Sequence, residues 1–78
     1  MRVTRLRKLR IDNGLSLATV AHDNKLSESS ISAYEILTRT PSLNVYRRLE
    51  HYYNCKEDLF EIVEIPDDTK LEMNTTTL

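Results

Sequence analysis

The chain has 78 residues, of which 40% are hydrophobic and 29% are charged, and its net charge is −1. This length favours a single small domain, whose core needs tight helix packing or a partner subunit. The single cysteine excludes an internal disulfide. No apolar run approaches the ~20 residues that a membrane helix needs, and the charged N-terminal segment lacks the pattern of a signal peptide. We therefore expect a cytoplasmic protein.

The charge is unevenly distributed along the chain. Residues 1–58 contain ten Lys and Arg against seven Asp and Glu, a net of +3, whereas residues 59–78 contain one Lys against five Asp and Glu, a net of −4. A mildly basic body with an acidic C-terminal tail is compatible with nucleic-acid binding but indicates it only weakly.

The first 25 residues predict two helices. The face of the first helix is formed by Val3, Leu6, Leu9 and Arg10 at helical spacing. Gly14 suits a left-handed helix end, and Ser16 suits the N-cap of the second helix. The inward positions of the second helix are Leu17, Val20 and Ala21, with Asn24 as an optional fourth.

A third predicted helix follows a break at "NKL" and is capped by Ser27. Its inward residues are Ile31, Tyr34 and Glu35. At ~100° per residue, Ser29 and Ala33 point away from Ile31. The flanking positions are Glu28, Ser30 and Ser32.

The C-terminal half predicts a loop, two further helices and a tail. After "ILTRTPS", in which Pro41 stops the preceding helix, Ser42 caps a fourth helix. The residues expected to be buried on it are Leu43, Val45 or Tyr46, Leu49, and Tyr52 or Tyr53. "KEDLFEIV" predicts a short fifth helix, although "EIVEIP" can instead end as a strand. We assign 1–63 to one domain and 64–78 to an extension that is partly disordered or dimer-forming. Within it, "DDTKLEMNTTTL" is expected to be disordered.

The order of these motifs resembles a known family. "LRKLR" lies in the first helix, "GLS" precedes the second, Val20–Ala21 lie within it, "SISAYE" forms the third, and "PSL" opens the fourth. Over roughly residues 3–60 the chain resembles the Cro/repressor-type (XRE-like) helix-turn-helix domain. The resemblance implies an all-α, five-helix, lambda-repressor-like fold with a short acidic C-terminal tail, as the single glycine and two prolines also favour.

The resemblance further implies that the third helix lies in the major groove of double-stranded DNA. The base-reading positions would be Glu28, Ser29 and Ala33, with Ser30 and Ser32 beside them. The phosphate contacts would come from helix N-termini and the loop after the third helix, namely Leu17, Ser27, Thr38, Arg39, Thr40 and Asn44. Arg10 and Glu35 match a structural ion pair found in part of the family.

Three positions depart from the family pattern. Leu17 replaces a phosphate-binding Gln, Asn24–Lys25 replaces a glycine in the turn, and Ile36–Leu37 replaces a second glycine. Either Lys25 adopts the left-handed conformation, at a cost of ~1–2 kcal/mol, or the turn shifts to Asn24, which tolerates it better. The departures concern loop geometry and one phosphate contact, and leave the fold unaffected.

The exposed side chains of the third helix suggest what it can read. A glutamate accepts a hydrogen bond from cytosine N4, and an alanine packs against a thymine methyl group. Glu28 therefore favours a C·G pair and Ala33 a T·A pair, whereas Ser29 is permissive. Because no Arg, Lys, Gln or Asn is present, DNA shape and dimer spacing should supply part of the specificity.

Several of these features also allow a simpler interpretation. Glu28 and the serines can form an ordinary solvated face. His51 and Cys55 are spaced as half of a metal site, but no second pair lies nearby in sequence, so no metal is expected. Ile36–Leu37 can pack under the loop or form a protein-binding patch, and "EIVEIP" can join the core or a dimer interface. No nucleophile–base pair or phosphate loop is visible, so we expect neither an enzyme nor a cofactor.

The sequence thus predicts a transcriptional regulator, a repressor of phage or mobile-element type, that binds an inverted-repeat operator as a homodimer. The alternative is a protein-interaction module, or an antitoxin-like autoregulator with a protein partner, on the same scaffold. The acidic tail and Ile36–Leu37 favour that alternative.

Overall fold

The computed structural model describes residues 1–66, which form four helices and a two-stranded sheet. In chain order these are β1 (Arg2–Thr4), α1 (Arg5–Asp12), α2 (Leu17–Asn24), α3 (Glu28–Glu35), α4 (Leu43–Tyr53) and β2 (Ile62–Glu64). Residues 67–78, on which the prediction of a disordered acidic tail falls, lie outside the described residues. No helix within residues 1–66 is long and apolar enough to span a membrane.

All four helices begin at a Ser or Thr whose side-chain oxygen accepts a hydrogen bond from the backbone N–H three residues later. The caps are Thr4, Ser16, Ser27 and Ser42. Such a cap satisfies one of the N–H groups that a helix start leaves without a partner. The three serine caps predicted from the sequence are confirmed, and Gly14, with φ of 65°, takes the left-handed conformation expected after the first helix.

The core lies where the four helices meet the turn before β2. Its fully buried members are Leu6, Val20, Ala21, Ile31, Tyr34, Leu49 and Leu59. Asn24, the optional inward residue of the second helix, is also buried. Its side-chain amide donates to the carbonyl of Val20 over 2.8 Å. Burial of Ile31, Tyr34 and Glu35 fits the inward face predicted for the third helix.

The predicted fifth helix is wrong, because tertiary contacts occupy the backbone groups that it would need. The carbonyls of Leu59 and Glu61 each accept a hydrogen bond of 2.8 Å, from the N–H groups of Leu6 and Arg5 respectively. Asp58 accepts from the N–H of Phe60. The segment therefore forms a turn at residues 59–60 and continues as β2, as the alternative interpretation of "EIVEIP" allowed.

The predicted start of the first helix is also wrong. Arg2–Thr4 form β1, which pairs antiparallel with β2 in the register Val3 opposite Val63. Val3 is buried from this strand, and α1 begins at Arg5. A β-branched pair such as Val3–Thr4 favours a strand once a partner strand is present.

Leu43 does not join the core, contrary to expectation, and is 67% exposed. At ~100° per residue it lies about 120° around α4 from the buried Leu49. Val45, Tyr46, Tyr52 and Tyr53 all pack against the core in part, so both members of each predicted pair contribute.

Candidate nucleic-acid interface

The position of α3 is set by an ion pair at its C-terminal end. Arg10 Nε and Nη2 donate to the Glu35 carboxylate over 2.7 and 3.1 Å, and Arg10 Nη1 donates to the carbonyl of Leu15 over 3.0 Å. The Glu35 side chain is 3% exposed and the Arg10 side chain is 15% exposed. One guanidinium thus joins α1, the segment that precedes α2, and α3.

The hydroxyl of Thr4 fixes the same end of α3 by bonding to the backbone of that helix. This hydroxyl donates to the carbonyl of Glu35 over 2.8 Å and accepts from the N–H of Arg7 over 3.2 Å. One buried side chain therefore caps α1 and satisfies a carbonyl at the end of α3. The sequence interpretation missed this residue, although a Thr directly before "RLRKLR" is an N-cap signal.

The turn between α2 and α3 places its left-handed residue at Lys25, with φ of 57° and ψ of 43°. The alternative, a turn shifted to Asn24, is wrong because the Asn24 side chain is buried and bonded to Val20 within α2. Lys25 therefore bears the cost of this conformation, and its exposed side chain lies just before the cap of α3.

The outward side of α3 carries the five predicted base-reading residues. Glu28 and Ser29 are exposed in the first turn, whereas Ser30, Ser32 and Ala33 are half-buried. The first turn therefore projects furthest, which is the part of such a helix that contacts base edges in a groove.

Hydroxyl groups at the start of α3 are partly engaged with one another. Ser27 Oγ accepts from the N–H of Ser30 over 3.1 Å, donates to Ser30 Oγ over 2.9 Å, and lies 3.1 Å from Ser29 Oγ. Arg39 Nη1 donates to Ser30 Oγ over 3.3 Å. The loop cation thus lies against Ser30, in the N-terminal half of α3.

The loop after α3 is folded back onto that helix. The carbonyl of Ala33 accepts from the N–H of Thr38 over 2.9 Å and from its hydroxyl over 3.4 Å. Leu37, with φ of 64°, supplies the left-handed residue where the family usually has glycine. Thr38, Arg39 and Thr40 are all exposed, so the three predicted loop contacts are accessible.

The remaining predicted phosphate contacts lie at the starts of α2 and α4. Ser16 and Ser42 bond the third N–H of each helix, which leaves the first two N–H groups without intrahelical acceptors. These belong to Leu17 and Ala18, and to Leu43 and Asn44. Helix starts of this kind attract phosphate through their N–H groups and their dipole.

Arg5, the first residue of α1, is engaged by the segment between α4 and β2. It forms ion pairs with Glu61 and Glu57 and donates to the carbonyl of Asp58 over 2.8 Å. The hydrogen bond with Glu61 raises the pKa of the Arg5 guanidinium. Arg5 therefore holds the turn before β2 against α1.

A tyrosine–aspartate contact joins α4 to α2. Tyr52 Oη donates to Asp23 Oδ2 over 2.7 Å. Partial burial, followed by the hydrogen bond to Asp23 and its charge, raises the pKa of Tyr52 to about 12. Tyr52 consequently remains a neutral donor at physiological pH.

Within residues 1–66 no group of three or more His, Cys, Asp or Glu side chains is arranged to hold a metal ion. The Cys55 thiol donates to the carbonyl of Glu57 over 3.6 Å. His51 and Cys55 line a shallow surface pocket with Arg47, Glu50, Asn54 and Lys56.

The helices α2 and α3 are short and are joined by a left-handed turn. Because α3 is fixed at its C-terminal end and exposed at its first turn, the pair defines a helix-turn-helix domain. Residues 6–60 match the family model described as Helix-turn-helix. Searches among curated proteins and among solved structures found no significant match. The family match covers more than half of the chain, which therefore belongs to the Cro/repressor-type (XRE-like) helix-turn-helix family. The predicted resemblance is confirmed, and the chain is a DNA-binding transcription regulator.

Proposed function

We propose that this protein is a cytoplasmic repressor of phage or mobile-element type that binds an inverted-repeat operator as a homodimer. It acts without catalysis and without a cofactor, by occupying DNA that polymerase would use. The observation that supports this best is the contrast along α3, whose Glu35 end is buried and bonded while Glu28 and Ser29 are exposed. Half-sites would be spaced by about one helical turn of DNA.

Direct readout is assigned to the first turn of α3 and its flank. Glu28 accepts from cytosine, the Ala33 methyl group packs on thymine, and the serines tolerate several edges. Each good contact contributes about 1–3 kcal/mol of discrimination. Glu28 also repels phosphates at wrongly aligned sites, so it favours specificity over affinity.

Affinity comes from the DNA backbone. The proposed contacts are the loop residues Thr38, Arg39 and Thr40, the Ser27 end of α3, and the helix starts at Leu17 and Asn44. With few cations on this surface, the salt dependence should correspond to about three or four phosphates per subunit, at a slope of ~0.9 each.

Mobility shift against the DNA upstream of the gene tests the proposal. Glu28→Ala should relax the preference at one base pair. Ala33→Arg should weaken binding or change the preferred site, because it places a long cationic side chain at a half-buried position. Ser29→Ala removes a hydroxyl that tolerates several base edges, so it should change site preference less than either of these variants. If neither Glu28→Ala nor Ala33→Arg alters binding or site preference, α3 does not read the DNA.

A second candidate function rests on exposed apolar side chains beside α3. Ile36 is 57% exposed and Leu37 is 48% exposed, which is unusual enough to suggest a protein partner. Salt titration of non-specific DNA binding separates the two functions. No measurable affinity at low salt, where phosphate attraction is strongest, would favour the protein-interaction module or antitoxin-like autoregulator.

A further inference from the structure

Three serine hydroxyls at the start of α3 share a limited number of protons. Each hydroxyl donates one hydrogen bond, through its single proton, and accepts two through its lone pairs. Ser27 Oγ lies 2.9 Å from Ser30 Oγ and 3.1 Å from Ser29 Oγ, and it also accepts from the N–H of Ser30 over 3.1 Å. Three contacts therefore meet at one oxygen, and only one of them can use the Ser27 proton.

The geometry of these contacts decides where the Ser27 proton goes. In the contact with Ser30, Ser27 Oγ is the donor, whereas in the contact with Ser29 either oxygen can donate. Because the Ser27 proton is already used, the proton between Ser27 and Ser29 comes from Ser29. Ser27 Oγ then donates once and accepts twice, which is its full capacity. The Ser29 hydroxyl is left with its lone pairs alone for a ligand.

The same count gives Ser30 the opposite character. Its oxygen accepts from Ser27 over 2.9 Å and from Arg39 Nη1 over 3.3 Å, so both of its lone pairs are occupied. Only the Ser30 proton remains for a ligand. Since Ser29 is exposed and Ser30 is half-buried, the hydroxyl that projects furthest from α3 is the one that can only accept.

We infer that Ser29 reads DNA as a hydrogen-bond acceptor only, so that it selects a base whose major-groove edge donates. This inference rests on the proposed function and narrows the readout that was assigned there to Ser29. Adenine N6 and cytosine N4 donate in the major groove, whereas guanine and thymine present acceptors there. At the position that Ser29 contacts, the facing strand should therefore carry adenine or cytosine rather than guanine or thymine.

The bond between Ser29 and Ser27 sets the size of this preference. To donate to guanine or thymine, the Ser29 hydroxyl would have to turn away from Ser27 and break that bond. Loss of one neutral hydrogen bond lowers an equilibrium constant by about fivefold. The carboxylate of Glu28, the other exposed side chain of the first turn, also accepts only. Both exposed side chains of this turn therefore require an amino group from the DNA.

Base substitution in the DNA tests the preference. A binding site is selected from random DNA, and Ser29→Ala then identifies the base pair at which the preference of the parent protein is lost. There the parent should bind adenine or cytosine at least about fivefold more tightly than guanine or thymine. An analogue of the preferred base without its amino group should weaken the parent about fivefold and Ser29→Ala less than about twofold. A preference for guanine or thymine, or equal losses in the two proteins, would overturn the inference.

Ser30→Ala tests whether the serine contacts cause the preference. It removes the acceptor of the Ser27 proton but keeps the cap, because the backbone N–H of residue 30 still bonds to Ser27. The Ser27 proton can then turn to Ser29, which frees the Ser29 proton for DNA. The preference at the Ser29 base pair should fall from about fivefold to less than about twofold. Arg39→Ala is the matched control, since it also removes the Arg39–Ser30 bond but keeps Ser27 bonded to Ser30, and it should leave that preference unchanged.

The outcomes separate this inference from the proposed function. If the parent binds its selected site but Ser29→Ala changes the preference at no position, or Ser30→Ala keeps the full preference, the inference is wrong and the repressor function stands. If the parent binds no DNA even at low salt, the repressor function fails and the inference fails with it. Should thermal unfolding show that Ser30→Ala does not fold, the base analogues decide, because they need only the parent and Ser29→Ala.

Discussion

The two ends of α3 are held in different ways. At the C-terminal end, Glu35 is buried, its carboxylate binds Arg10 at 2.7 Å, and its carbonyl accepts from Thr4 at 2.8 Å. At the N-terminal end, Ser27 bonds the N–H of Ser30 at 3.1 Å, and Arg39 reaches Ser30 at 3.3 Å, all at the surface. The helix is thus anchored at one end and presented at the other.

This difference indicates what the ion pair contributes. A buried pair of charges loses its hydration, so its net contribution to stability is often near zero or negative. Arg10 nevertheless binds α1, the Leu15 carbonyl and α3 at once, which a packed apolar pair of similar volume would not reproduce. We expect the pair to orient α3 rather than to stabilise the fold.

The largest effect should follow from removing one charge of this pair. Glu35→Ala leaves Arg10 without its carboxylate and should cost about 3–5 kcal/mol of the free energy of unfolding. For a small domain this is a large share of the total. Urea denaturation measures the loss, and a cost below about 1 kcal/mol would show that the pair is solvated in solution.

A double variant is the control that separates orientation from stability. Arg10→Met with Glu35→Leu replaces the pair by apolar groups and should recover most of the stability lost in Glu35→Ala. Operator affinity should remain reduced, because α3 has lost its directional contact. Recovery of both properties would mean that packing alone positions the helix.

An intermediate effect is expected at Thr4, which acts at the same anchored end. Thr4→Val keeps the shape but removes the cap of α1 and leaves the buried Glu35 carbonyl without a donor. Together these losses should cost about 1–3 kcal/mol, measured by urea denaturation. Thr4→Ser keeps the hydroxyl and should lose much less. Equal losses in the two variants would mean that the hydroxyl contributes no more to stability than the methyl group does.

The parts of this fold that follow from local periodicity were predictable from the sequence. The inward face of α3 and the serine caps depend on residues within a few positions of each other, where helix geometry is decisive. The Arg10–Glu35 pairing was suggested only by the family resemblance, since nothing local brings residues 25 positions apart together.

The predictions that were wrong concern segments whose conformation depends on residues distant in sequence. Residues 56–63 have helical composition, but Arg5 and Leu6 take their carbonyls and β1 pairs with their end. These partners lie more than 50 positions away, beyond any local pattern. Likewise, Lys25 and not Asn24 is the left-handed residue of the turn, because the Asn24 side chain is buried and donates to the Val20 carbonyl within α2. Local patterns do not predict which residues contact DNA either, because those contacts depend on a groove outside the chain.

The smallest effect is expected at the presented end, in the turn that precedes α3. Lys25 has φ of 57°, a conformation that costs a residue with a Cβ about 1 kcal/mol more than glycine. Lys25→Gly should therefore be about 1 kcal/mol more stable than Lys25→Ala by urea denaturation. The alanine variant is the matched control, because both variants lose the same charge and any loss of DNA affinity from that charge is shared. If the glycine variant is more stable yet binds the operator less well than the alanine variant, the Cβ at residue 25 restrains the start of α3 for binding. Equal stabilities would mean that the Cβ of residue 25 causes no strain in this turn in solution.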